Sequence, residues 1–135
     1  MICIIISLWT LAGWARGGDP IVVWPSDMSH ERIEARDIIG SWWAVSSNDF
    51  AEVIIRKTKN KGQVQFLLKR ASEEQWIRGA LTSIQADGFL GAVKGPEGLV
   101  STEALIYWSA LGLRLQLSSG TLVESFDLLR QEKAR

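Results

Sequence analysis

Cysteine and histidine are almost missing from this chain: each occurs once in 135 residues, as Cys3 and His30. Their scarcity removes disulfide staples and thiol nucleophiles from everything after Cys3. It also leaves no ligand set for a zinc site at His30 and no base for Ser-His-Asp chemistry. An excess charge of one sign is lacking too, with fifteen basic residues against fifteen acidic. Without surplus Lys and Arg to neutralise phosphates, nucleic acid is not an expected partner. Carboxylates do not pair at a spacing that general acid–base work would need, so neither an enzyme nor a cofactor is expected. The longest apolar run, Ile2 to Ala12, is shorter than the roughly 20 residues of a membrane-spanning helix, and stable membrane insertion is not expected.

That apolar run fits the core of a secretory signal, and Gly13-Trp14-Ala15 places small residues at the first and third positions of a cleavage site before Arg16. No Lys or Arg separates Met1 from the run, so either the assigned start is wrong or the leader is atypical; the alternative is a buried first strand or helix. Leu11-Ala12-Gly13 resembles the residues before the acylated cysteine of bacterial lipoproteins, but position 14 is Trp and offers nothing to acylate. Residues 1–15 are therefore read as a signal peptide of a secreted or periplasmic protein, residues 16–38 as linker and short helix, and residues 39–131 as the folded body. Gly17-Gly18-Asp19-Pro20 and Trp24-Pro25-Ser26-Asp27 read as linker and turn. Ser29 to Asp37, polar and free of Gly and Pro, reads as a short helix capped by Ser29.

From Gly40 the pattern changes to a period of two. Strands are expected over Ser41 to Ser46, Ala51 to Lys57, Gln63 to Arg70, Gln75 to Thr82, Phe89 to Lys94, Val100 to Trp108, Leu113 to Leu117 and Thr121 to Arg130. Most separators supply Gly, Asn, Asp or Ser, such as Asn60-Lys61-Gly62, Ala86-Asp87-Gly88, Gly95-Pro96-Glu97-Gly98 and Ser118-Ser119-Gly120. Eight short strands joined by tight connections predict an all-β fold, an eight-stranded antiparallel up-and-down barrel preceded by a short N-terminal helix. Alternation puts Val64, Phe66 and Leu68 on one face against Gln63, Gln65 and Lys69, and Leu113, Leu115 and Leu117 against Arg114 and Gln116. The basic run Arg56 to Lys61 reads as a solvated hairpin tip, with a patch for an anionic partner as the alternative.

The helix, a Gly-x-Trp element at Gly40-Ser41-Trp42 entering the first strand, the meander and a basic residue ending the last strand together resemble the calycins. That superfamily comprises lipocalins, fatty-acid-binding proteins and avidins. Residues 39–50 look like the opening of a fatty-acid-binding protein. The resemblance implies that Trp42 lies inside the closed end of the barrel with Arg130 packed across its ring. The chain departs from these families in lacking a Thr-Asp-Tyr element and a helical lid.

An eight-stranded barrel holds either packed side chains or one small ligand. The residues expected to line such a site are Trp42, Phe66, Trp76, Trp108, Phe126 and Arg130, with a small apolar or amphipathic molecule as ligand. The alternative is a filled barrel acting as a protein-interaction module, for example a lipocalin-like inhibitor of a secreted protease. The adjacent Trp42 and Trp43 must face opposite sides of their strand. Whichever points outward, with Leu67, Leu90, Val123 and Leu129, offers an apolar patch for a second copy or a protein partner. Glu124, in phase with Phe126 and Arg130, is expected near a rim or paired with a base.

Overall fold

Alternating apolar and polar residues fold from Gly40 onward into eight antiparallel strands: β1 (Gly40–Val45), β2 (Phe50–Lys57), β3 (Gln63–Arg70), β4 (Ile77–Ile84), β5 (Gly88–Lys94), β6 (Ser101–Ser109), β7 (Gly112–Ser119) and β8 (Leu122–Arg130). Each pairs with the next, and β1 pairs with β8 through Trp42↔Arg130 to Val45↔Asp127, closing the barrel. Closure leaves no open sheet edge to template association. The computed structural model describes residues 24–94 and 101–131. The expected leader with Cys3, the Gly17 to Pro20 linker, the Gly95 to Gly98 turn and Val100 lie outside the described residues.

One apolar face per strand turns inward. Ala51, Val53 and Ile55 of β2, Val64, Phe66 and Leu68 of β3 and Leu113, Leu115 and Leu117 of β7 join one buried cluster with Trp42, Phe89, Ile106, Phe126 and Leu128. The register follows the pattern because a one-residue slip would invert every face. Near the middle of β4 and β5 the ladder is interrupted between Gly79↔Val93 and Thr82↔Leu90. There the backbones come so close that a Cβ on Gly79 would stand 2.1 Å from the Ala92 carbonyl oxygen, and one on Gly91 2.0 Å from that of Ala80. Only glycine fits at either position.

Two expectations need correction. The helix predicted from Ser29 to Asp37 shrinks to one turn, α1 (Ala35–Ile38), with Glu34 as its N-cap. Ser29 does not cap it: its backbone N–H and its Oγ both donate to the Trp108 carbonyl, at 2.9 and 3.0 Å, while Met28 bridges Ser109, which holds this stretch extended along β6. His30 at φ 63° then breaks any helical path from Ser29. Further along, β4 starts at Ile77 and not at Gln75, so Trp76 belongs to the β3–β4 connection.

Residues 24–29 form a strap over the outside of the barrel. Leu105 and Tyr107, on the outward face of β6, are buried beneath Trp24 and Met28, with Leu90 packed alongside. The Tyr107 hydroxyl donates to Asp27 Oδ1 at 2.8 Å, and Arg114 Nη1 to Asp27 Oδ2 at 3.0 Å. The outer wall of β5–β7 is thus a second, smaller core.

Candidate functional site

The closed end of the barrel is built around Trp42. Its indole N–H donates to the Ile38 carbonyl at 2.8 Å, and the Arg130 guanidinium lies over its ring, 4.2 Å from the centroid. Arg130 also donates to the carbonyls of Ile39 at 3.2 Å and Asp37 at 3.4 Å. One cation therefore covers the indole face and satisfies carbonyls that the end of α1 would leave without partners. Gly40 permits this: its φ is +138°, and a Cβ there would meet Arg130 Nη1 at 2.8 Å. The Gly-x-Trp element thus has two physical causes, a backbone conformation that favours glycine and the close approach of a guanidinium.

Above this plug the interior is occupied by side chains. Phe66, Val64, Leu81, Ala104, Ile106, Leu115 and Phe126 are 0% exposed, and Phe89, Ile55 and Leu68 are 1% exposed. Trp108 is half-buried against the same cluster.

The opposite end carries an ionic cover. Arg70, the last residue of β3, donates to Glu124 Oε1 at 2.6 Å and to the Asp49 carboxylate, with its guanidinium 5.9 Å from the Phe126 ring centroid. Asp49 is held in place by the β1–β2 turn, where its N–H donates to Ser46 Oγ at 3.0 Å. The Glu124 hydrogen bond, set against partial burial, raises the Arg70 pKa above its ordinary value and keeps the group charged. Glu124 thus pairs with a base at the rim.

Of the residues proposed to line a ligand site, Phe66 and Phe126 lie inside the core, while Trp42 and Arg130 form the plug. Trp108 borders the core, and Trp76 stands partly exposed in the β3–β4 connection. The structure brings the first five onto or against one core and leaves Trp76 apart. Trp43 is the outward tryptophan of the pair, 36% exposed and stacked on Phe50 with ring centroids 5.0 Å apart. Leu129, its cross-strand neighbour, is 55% exposed.

On the outer wall of β2–β4 lies a groove of about 420 Å³ lined by Lys57, Thr58, Gln65, Arg78, Gly79 and Ala80. Its floor is low because Gly79 and Ala80 supply no bulk. The basic run Arg56 to Lys61 borders it, and Arg78 and Lys94 are direct cross-strand partners beside it. Alternation marked Gln65 as facing away from the apolar side, but its convergence with the other five depends on register across β2–β4.

Among the described residues no group of three or more His, Cys, Asp or Glu side chains is placed to hold a metal, and His30 Nδ1 lies 3.4 Å from Asp87. Among those residues no helix is long and apolar enough to cross a membrane. The closed eight-stranded meander is compatible with the calycin architecture. No family model, curated protein or solved structure matches the chain, so that compatibility rests on topology alone.

Proposed function

We propose that this protein is a non-catalytic binding module, secreted or periplasmic, in which a calycin-like barrel serves as a solid scaffold and the partner is engaged from outside. The observation that carries this reading is the filled interior. A pocket for a small molecule starts at roughly 300 Å³. Space of that size would lie against several inward side chains, whereas Phe66, Phe126, Leu81 and Ile106 are each 0% exposed. Of the two classes open to a small barrel, the interaction module, the class of a lipocalin-like protease inhibitor, fits a packed core better than the carrier does.

The carrier of a small apolar or amphipathic molecule is the second reading, and the mouth favours it. Arg70 covers Phe126 through ion pairs with Asp49 and Glu124 and not through apolar packing, so a lid held by charge closes an apolar interior. Titration of the tryptophan fluorescence with a fatty acid, a tetrapyrrole and a flavin, checked by native mass spectrometry, separates the two. The module reading expects no saturable change and a bare protein mass. A saturable one-to-one complex with any of them overturns it in favour of the carrier.

A further inference from the structure

The net charge of zero conceals a one-sided distribution. Arg56, Arg78 and Lys94 point outward from β2, β4 and β5, with Lys57 at the end of β2 and Lys59 and Lys61 on the hairpin beyond it. Glu52, the acidic residue within β2–β5, stands opposite Lys69, and Glu103 of β6 stands opposite Ala92, diagonal to Lys94, so none of these cations faces a carboxylate directly across the ladder. Among the described residues none of these six cations forms an ion pair, whereas Arg70 and Arg114 each have two carboxylate partners. Arg78 and Lys94 are directly opposed across β4–β5, an arrangement of like charges that costs stability and that an anionic partner would relieve.

We infer that the groove between Lys57 and Arg78, with the basic wall around it, is the docking site for an acidic segment of a partner protein. The inference rests on the module reading and names the chemistry of its partner. Three features point to polypeptide carboxylates. The groove has a low floor of backbone and a methyl group at Gly79 and Ala80 between the Lys57 and Arg78 side chains, which leaves room for the side chains of an extended segment. Arg78 offers a planar fork for carboxylate and Gln65 an amide beside it, the groups that read an acidic side chain and its backbone. Along the outer face of β2 and its neighbour, Ile54 and Leu67 are half-buried and lead to the Trp43–Phe50 stack. A protein partner gains from such apolar surface beside a charged rim, and a hydrated glycan does not. Every strand is already paired on both sides, so recognition must run through side chains and not through strand addition.

The test uses the full chain and a short poly-glutamate peptide as probe, with a heparin oligosaccharide and vesicles of phosphatidylcholine containing phosphatidylserine run in parallel. Poly-glutamate is expected to bind, and to bind more weakly as salt rises. The double reversal Lys57→Glu/Arg78→Glu should lower that affinity about tenfold or more. The control Arg32→Glu/Arg36→Glu makes the same change in net charge on the α1 segment, where both arginines already pair with Glu34, and should lower it less than about threefold. Arg78→Gln, checked for an unchanged melting curve, gives the answer if the double reversal does not fold. Absence of poly-glutamate binding, equal losses in both double variants, or binding to heparin or vesicles alone would each overturn the inference. Those results leave the module reading standing; a small ligand saturating the barrel in the fluorescence titration would remove the reading itself.

Discussion

Arg130→Ala and Gly40→Ala, made singly and together, probe the plug that organises the closed end. Arg130 lies 4.2 Å from the Trp42 ring centroid and gives hydrogen bonds of 3.2 and 3.4 Å to Ile39 and Asp37. The guanidinium is largely exposed, so its ring contact is worth about 0.5–1 kcal/mol. The two hydrogen bonds are long, and together they add about 1 kcal/mol. Removing Arg130 should therefore cost about 1.5–2 kcal/mol, a fall in Tm of roughly 6–15 °C for a domain of this size. Gly40→Ala forces alanine to φ +138° and drives a Cβ against Arg130 Nη1. The backbone strain alone costs about 1–3 kcal/mol, and displacing Arg130 forfeits much of its contact as well. In the double variant the clash disappears while the strain remains, so the two costs should overlap by about 1 kcal/mol. Urea denaturation followed by tryptophan fluorescence reads all three. Additivity within about 0.3–0.5 kcal/mol would refute the contact between Gly40 and Arg130.

Phe126→Ala should cost about 3–5 kcal/mol in the same assay, because the ring is fully buried and lies beneath Arg70; a loss under about 1 kcal/mol would contradict a packed interior. Gly91→Ala should cost more than about 3 kcal/mol or prevent folding, since its Cβ would lie 2.0 Å from a backbone oxygen that cannot retreat; a soluble variant with wild-type Tm would count against the close β4–β5 approach. Tyr107, the chain's single tyrosine, has its pKa pushed well up by burial first and by its hydrogen bond to Asp27 second. An acid whose folded pKa is raised stabilises fully below its unfolded value near 10, and that contribution falls away as pH climbs above it. Phenolate absorbance should therefore appear only with unfolding above about pH 10, and Tyr107→Phe should flatten that limb of the stability curve; free titration near 10 in the folded protein would refute the burial.

The strands were legible because alternation and turn residues agree along most of the barrel. The expected bounds of β2, β3 and β5 lie within a residue of the observed ones. Where local signals compete, legibility drops. Ser29 is a good N-cap by type, yet a carbonyl on β6, far along the chain, accepts from both its hydroxyl and its N–H. Trp76 carries strand propensity, but the β3–β4 connection uses it before the ladder begins. The strap was not readable from spacing, since Tyr107 and Asp27 are 80 residues apart. A signal did exist in Ala104-Leu105-Ile106-Tyr107, an unbroken apolar run that marks a strand covered on both faces. The Trp42–Arg130 contact came from the calycin resemblance and is present; its need for Gly40 appears only in three dimensions. The basic wall stayed hidden because net charge sums over the chain, while a field depends on which strands stand side by side.

The filled interior is the claim on which the functional reading depends, and xenon tests it without assuming a ligand. Xenon enters dry apolar cavities that water leaves empty. Crystals of the full chain pressurised with xenon should show no bound atom among Phe66, Phe126, Leu115 and Ile106, while Phe126→Ala crystals, as the positive control, should show one. An ordered xenon at that level of the unaltered barrel would contradict the solid scaffold and return the interior to the role of a binding site.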